Sequence, residues 1–148
     1  MFVRFGNLNG MDNHSNSSAN DLSELFGPVI FKYARAQALE DGTLVDVTEP
    51  AREAGFRFPV AITATLWSVI GIIPKSHSYQ DAQGRLWDVL WMASLAVRKS
   101  RGESRCAYEL ILHREGTRKK YVQLICDCGP GDDLAGNPVI TIGFAEDF

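Results

Sequence analysis

Gly84-Arg85-Leu86-Trp87-Asp88-Val89-Leu90-Trp91-Met92-Ala93-Ser94-Leu95-Ala96-Val97-Arg98-Lys99-Ser100 is the stretch that decides the architecture. Leu86, Val89, Leu90, Ala93, Ala96 and Val97 recur at helical spacing, which predicts a long helix over about residues 84–100. Trp87, Trp91 and Met92 fill a second face, so the helix is expected to be buried on more than one side. Arg98, Lys99 and Arg101 stand at its C-terminal end, where cations suit the helix dipole. Beyond it the period changes. Cys106 to His113 reads as a strand, Arg114 to Arg118 with Gly116 as a hairpin loop, and Lys119 to Cys128 as the returning strand. Gly129-Pro130-Gly131-Asp132-Asp133 is a turn cluster, and Pro138 to Phe144 is a third strand. The expected class is α+β: N-terminal helices, with the long buried helix packed on a short antiparallel C-terminal sheet.

Upstream, Asn20 or Asp21 suits the cap of a short helix ending at Phe26, and a second helix is expected from Pro28 to Glu40. Thr43 to Val47 alternates as a strand, and Thr48 is placed to cap one helical turn closed by Gly55. Phe56 to Ile62 is β-like, though Pro59 argues for an edge or an extended link. Thr63 to about Ile73 reads as helix, stopped by Pro74, and Lys75 to Gln83 as a polar loop. Residues 1–19 carry few structure signals and read as a flexible leader; residues 20–148 read as a single α+β domain.

The chain has 148 residues, 45% hydrophobic and 22% charged, which suits one domain with one core. Its longest mainly apolar stretch, Val60 to Ile73, is too short to span a bilayer and is interrupted by Thr63, Thr65 and Ser68. With no apolar N-terminal run and three cysteines, reduced thiols in the cytoplasm are expected, and no membrane partner. The net charge of −3 is unevenly spread: residues 98–120 carry 8 cations and 3 anions, whereas residues 121–148 carry 5 anions and no Lys or Arg.

Five constellations bear on chemistry. Cys106, Cys126, Cys128 and His113 have the ligand types of a zinc site, but a strand lacks the tight knuckle such sites use, so small buried cysteines are favoured. A Cys–His nucleophilic pair lacks an orienting third group, and Asp127, Asp132 and Asp133 oppose a reactive thiolate. Gly129 to Asp133 lacks the Lys and Ser/Thr of a phosphate loop and reads as a turn. Arg98, Lys99, Arg101, Arg105, Arg114, Arg118, Lys119 and Lys120 form the strongest charge signal. If the hairpin folds back to the helix end they converge into one binding patch, for a phosphate backbone or an acidic protein. Solvated cations are the competing reading. Arg35, Asp41, Asp46, Arg85 and Asp88 lie within apolar segments; pairing of Arg35 or Arg85 with Asp46 or Asp88 is favoured over a pocket built from the same groups. No catalytic set, metal or cofactor is expected.

The run Tyr33 to Gly42 with Leu44-Val45-Asp46-Val47, the block Gly84 to Met92, and Gly129-Pro130-Gly131-Asp132 with Pro138 to Ile142 resemble a bacterial family of unknown function. The resemblance runs from about residue 25 to the C-terminus, and it implies a setting on plasmids, integrative elements and phages. In that setting the leading expectation is a non-enzymatic binding protein of a mobile element that inhibits a host defence complex, of anti-CRISPR or antirestriction type, through protein–protein contacts. The partner is then a host protein or nucleoprotein complex. Two alternatives stand beside it: a small enzyme or ligand-binding domain with a pocket lined by Arg35, Asp41, Asp46, Arg85 and Asp88, and a module that binds nucleic acid directly through residues 98–120. The oligomeric state is open, since Trp67, Trp87 and Trp91 suit a core or an interface.

Overall fold

The computed structural model describes residues 6–7, 35–131 and 135–148. The proposed helix over 20–26, the first part of that over 28–40, and nearly all of the leader lie outside these residues. Gly6–Asn7 forms a two-residue strand, β1. Residues 35–41 are helical (α1) and lead into β2, Leu44–Asp46. Then follow α2 (Thr48–Glu53), β3 (Val60–Thr63), α3 (Ala64–Gly71), a 3-10 turn at Lys75–His77, α4 (Ala82–Lys99), β4 (Arg105–Ile111), β5 (Tyr121–Pro130) and β6 (Pro138–Phe144).

The fold is α+β, and the long helix packs against the sheet. Its terminus is set by Asp81, whose carboxylate accepts from the Gly84 N–H at 2.6 Å. Leu86, Val89, Leu90, Met92, Ala93 and Ala96 are buried against Cys106, Tyr108 and Leu110 of β4 and Leu124 of β5. The Tyr108 hydroxyl donates to the Val89 carbonyl at 3.1 Å, pinning helix to strand.

The sheet is larger than the expected meander. Its order is β1-β4-β5-β6-β3-β2, and β3 pairs with β6 in parallel while the other pairs are antiparallel. All four residues of β3 are buried, the pattern of an interior strand covered on both faces. Pro59 does not push it to the edge, because the strand begins one residue later. The Pro59 carbonyl accepts from Ile140 at 2.8 Å, so the missing N–H costs the ladder nothing. Thr48 is the first residue of α2 rather than its cap: its hydroxyl donates to Asp46 and accepts from the Val60 N–H.

Two close approaches shape the C-terminal end. A Cβ on Gly143 would lie 2.5 Å from Thr63 Cγ2, so only glycine lets β3 and β6 meet there. The Thr63 hydroxyl donates to Asp147 Oδ2 at 2.7 Å, and the same oxygen accepts from the Phe144 N–H.

Candidate functional site

Where β2 turns into α2, the chain lays Val45, Asp46, Val47, Glu49, Pro50 and Glu53 along one wall of a groove of about 890 Å³. Trp67 on α3 and Asp81, Leu86 and Trp87 at the start of α4 form the other side. The second face of α4 is not buried as expected. Met92 is, but Trp87 and Trp91 are 38% and 40% exposed, because one face of α4 meets the sheet and nothing described covers the opposite one. One helical turn apart, they stack with ring centres 5.9 Å apart and planes 15° off parallel. Trp67 is 40% exposed across the groove.

The groove is acidic, and three of its four carboxylates are held. Asp46 accepts from both the N–H and the hydroxyl of Thr48, Asp81 caps α4, and Glu49 pairs with Arg52 at 2.9 Å. Indole faces beside fixed carboxylates suit a cationic group by charge and by cation–π attraction. No pattern in the sequence joins these residues into one site, although Trp67, Trp87 and Trp91 suit an interface as well as a core and Asp46 is a candidate pocket residue. Trp87 and Trp91, four residues apart and off the Leu86–Val89–Ala93 stripe, were the signal for an exposed face; Asp46, Trp67 and Asp81 meet only through folding.

The eight basic residues do not form one patch. The Arg85 guanidinium donates to the His113 carbonyl at 2.9 Å, so the β4–β5 hairpin sits at the start of α4, while Arg98, Lys99 and Arg101 stand at its other end. Helix and strand run antiparallel, which carries the hairpin away from the helix C-terminus. Arg105 pairs with Asp127 at 2.8 Å and lies over the Phe148 ring at 5.4 Å. Arg114, Arg118, Lys119 and Lys120 line a separate cleft of about 470 Å³ with Pro74, Ser76, His77, His113 and Thr117. There the rings of His77 and His113 stack at 3.8 Å and 17°. Burial, then the neighbouring His77, Lys120 and Arg85, hold His113 below the ordinary histidine range.

The buried polar residues are satisfied differently from the pairing expected. Arg85, only 3% exposed, donates to the carbonyls of Ile70, Val69 and His113 and to Gln80, not to a carboxylate. It thereby caps the last turn of α3. Burial lowers its pKa and raises that of Asp88, each opposed by the other's charge. Arg35 reaches Thr141 and the Ile140 carbonyl. Asp41 is held by Thr43, which keeps its carboxyl below the usual value. A common pocket for Arg35, Asp41, Asp46, Arg85 and Asp88 is not formed. Asp46 lines the large groove and Arg35 a different cavity of about 280 Å³, while Arg85 is sealed between α3, α4 and the hairpin.

Cys106 and Cys126 are buried and directly opposite across β4 and β5; Cys128 is half-buried. A hydrogen bond from Cys126 draws the Cys106 thiol down, while the same contact and burial push Cys126 up. His113 lies past the far end of β4 from Cys106, so neither the zinc set nor the Cys–His pair assembles. Among the described residues no group of three or more His, Cys, Asp or Glu is arranged to hold a metal ion, and no helix is long and apolar enough to cross a membrane.

Residues 24–148 match the model of a family of unknown function, DUF6573. The chain belongs to the DUF6573 family. No curated protein and no solved structure matches it. The matched DUF6573 region contains both walls of the tryptophan groove and the whole basic cleft.

Proposed function

We propose that this DUF6573 chain is a non-enzymatic binding protein that acts through protein–protein contacts, with the acidic tryptophan groove as its docking surface. One observation carries the reading: Trp67 and Trp87, 40% and 38% exposed, stand on the walls of a single groove with Asp46, Glu49, Glu53 and Asp81. An indole left that open forgoes roughly 2 kcal/mol of burial, which a partner would recover. Carboxylates between aromatic faces offer the pairing of negative charge and stackable rings found in a single-stranded nucleic acid. The partner chemistry that fits is a basic, nucleic-acid-binding channel. The resemblance to proteins of plasmids, integrative elements and phages makes a host restriction or CRISPR complex the partner we favour, and inhibition the outcome.

The test is affinity purification of the tagged protein from a host with active restriction and CRISPR systems, beside the Trp67→Ala/Trp87→Ala and Glu49→Lys/Glu53→Lys variants. A stoichiometric defence component held by the parent and lost by both folded variants is expected. A component held equally by all three, or none at all, refutes the proposal. Direct nucleic-acid binding along the whole of residues 98–120 has less support, since the cations separate to opposite ends of α4.

A further inference from the structure

We infer that the cleft between the Lys75–His77 turn and the β4–β5 hairpin is a binding site for a phosphate monoester group, independent of the tryptophan groove. Arg114, Arg118, Lys119 and Lys120 line it, and none of them is ion-paired with a carboxylate among the described residues. The carboxylate nearest in sequence, Glu115, is engaged by the Lys75 N–H at 2.6 Å. Four cations line the cleft against the single charge of Glu115 beside it, and the net positive charge left over favours a bound dianion.

Cations at a hairpin tip are often merely solvated, and two features distinguish this cleft. Arg114, which lines the cleft, has its Nε buried without a hydrogen-bond partner, an unmet donor that a shift of the side chain would offer to a bound oxyanion. His77 and His113 stack at 3.8 Å, which sets two imidazoles side by side in the cleft lining next to the cations. The Ser76 hydroxyl, bonded to His77 Nδ1 at 2.8 Å, and the Thr117 hydroxyl add polar lining. Guanidinium, ammonium and imidazole donors converging from two segments form a charge-assisted cradle for tetrahedral oxygens.

The arrangement favours a terminal monoester over a phosphodiester backbone. A backbone track needs cations strung along the surface, whereas here Arg98 and Lys99 lie about 20 Å along α4 from Arg85, where the hairpin is held, at 1.5 Å per residue. A compact cluster matches the two charges of one monoester.

The test uses the full chain and its histidine NMR signals, titrated with inorganic phosphate, adenosine monophosphate, adenosine, and a short oligonucleotide with or without a 5′-phosphate. Phosphate, adenosine monophosphate and the 5′-phosphorylated strand are expected to shift both imidazoles, with adenosine and the 5′-hydroxyl strand silent. Arg118→Glu/Lys119→Glu, both at exposed positions, is expected to weaken phosphate binding by about tenfold or more with the fold intact. Unmoved imidazoles in a large excess of phosphate overturn the assignment, as does a charge-reversed variant that binds equally well. Equal binding of both oligonucleotides overturns the monoester in favour of a backbone track.

Discussion

The Arg85 guanidinium and the main-chain carbonyl of His113, 2.9 Å apart, join the start of α4 to the β4–β5 hairpin. Through the same side chain the last carbonyls of α3 are closed by bonds of 3.0 Å to Ile70 and to Val69. Removing the side chain leaves three carbonyls with a lost partner. Arg85→Met is therefore expected to cost about 3 kcal/mol or more in urea unfolding. Arg85→Lys should recover only part of this, since an ammonium cannot reproduce the planar fork. A loss below about 1 kcal/mol would show that water replaces the guanidinium there.

Gly143 faces Thr63 across the parallel β3–β6 pair, the only parallel contact in the described sheet. Gly143→Ala is expected to destabilise by about 1–3 kcal/mol, the usual cost of overpacking. Thr63→Ser removes the methyl that the new Cβ would strike while keeping the hydroxyl for Asp147. In a double-mutant cycle its own cost should shrink or reverse in the Gly143→Ala background. Strict additivity would place the strain elsewhere.

Tyr108 is fully buried, and its hydroxyl bonds the Val89 carbonyl within α4. Tyr108→Phe preserves the packing and deletes that bond, with an expected cost of about 1 kcal/mol by chemical denaturation. Because the bond ties helix to strand, amide exchange in α4 near Val89 should also quicken.

His113 gives the fold a pH dependence of definite sign. Its imidazole is held below the ordinary value by burial and by His77, Lys120 and Arg85, so the unfolded chain takes up the proton first as the pH falls. This contribution to stability is fully present above the ordinary histidine pKa of about 6.5 and is lost as the pH falls from there towards the lower folded value. An NMR titration should place the His113 midpoint below that of an unfolded reference. His77→Ala removes one of the repelling neighbours and should raise the midpoint; an unchanged midpoint would assign the shift to burial and the remaining cations.

Much of this was legible in the sequence and some was misread, for specific reasons. The α4 stripe and the β4, β5 and β6 segments were read within a few residues, because helical and strand periods are written locally. The second apolar face of α4 predicts burial of Trp87 and Trp91 while leaving an interface open, because sequence spacing cannot tell an aromatic face that is covered from one that is not. The basic residues were gathered into one patch on the assumption that the hairpin returns to the helix end. Arg85 was expected to seek a carboxylate, when the open end of α3 offered carbonyls instead.

The α+β class, the long helix and the kinds of side chain available are all written in the sequence, since hydrophobic period, turn residues and charge are properties of short segments. Tertiary packing alone makes β3 parallel to β6, divides the cations between the two ends of α4 and stacks His77 on His113. It alone placed Trp67 and Trp87 on facing walls with Asp46 and Asp81. The reason is that periodicity marks which face of an element is apolar but not which element covers it, and residues far apart in the chain become neighbours only when the shared core fixes how the elements pack.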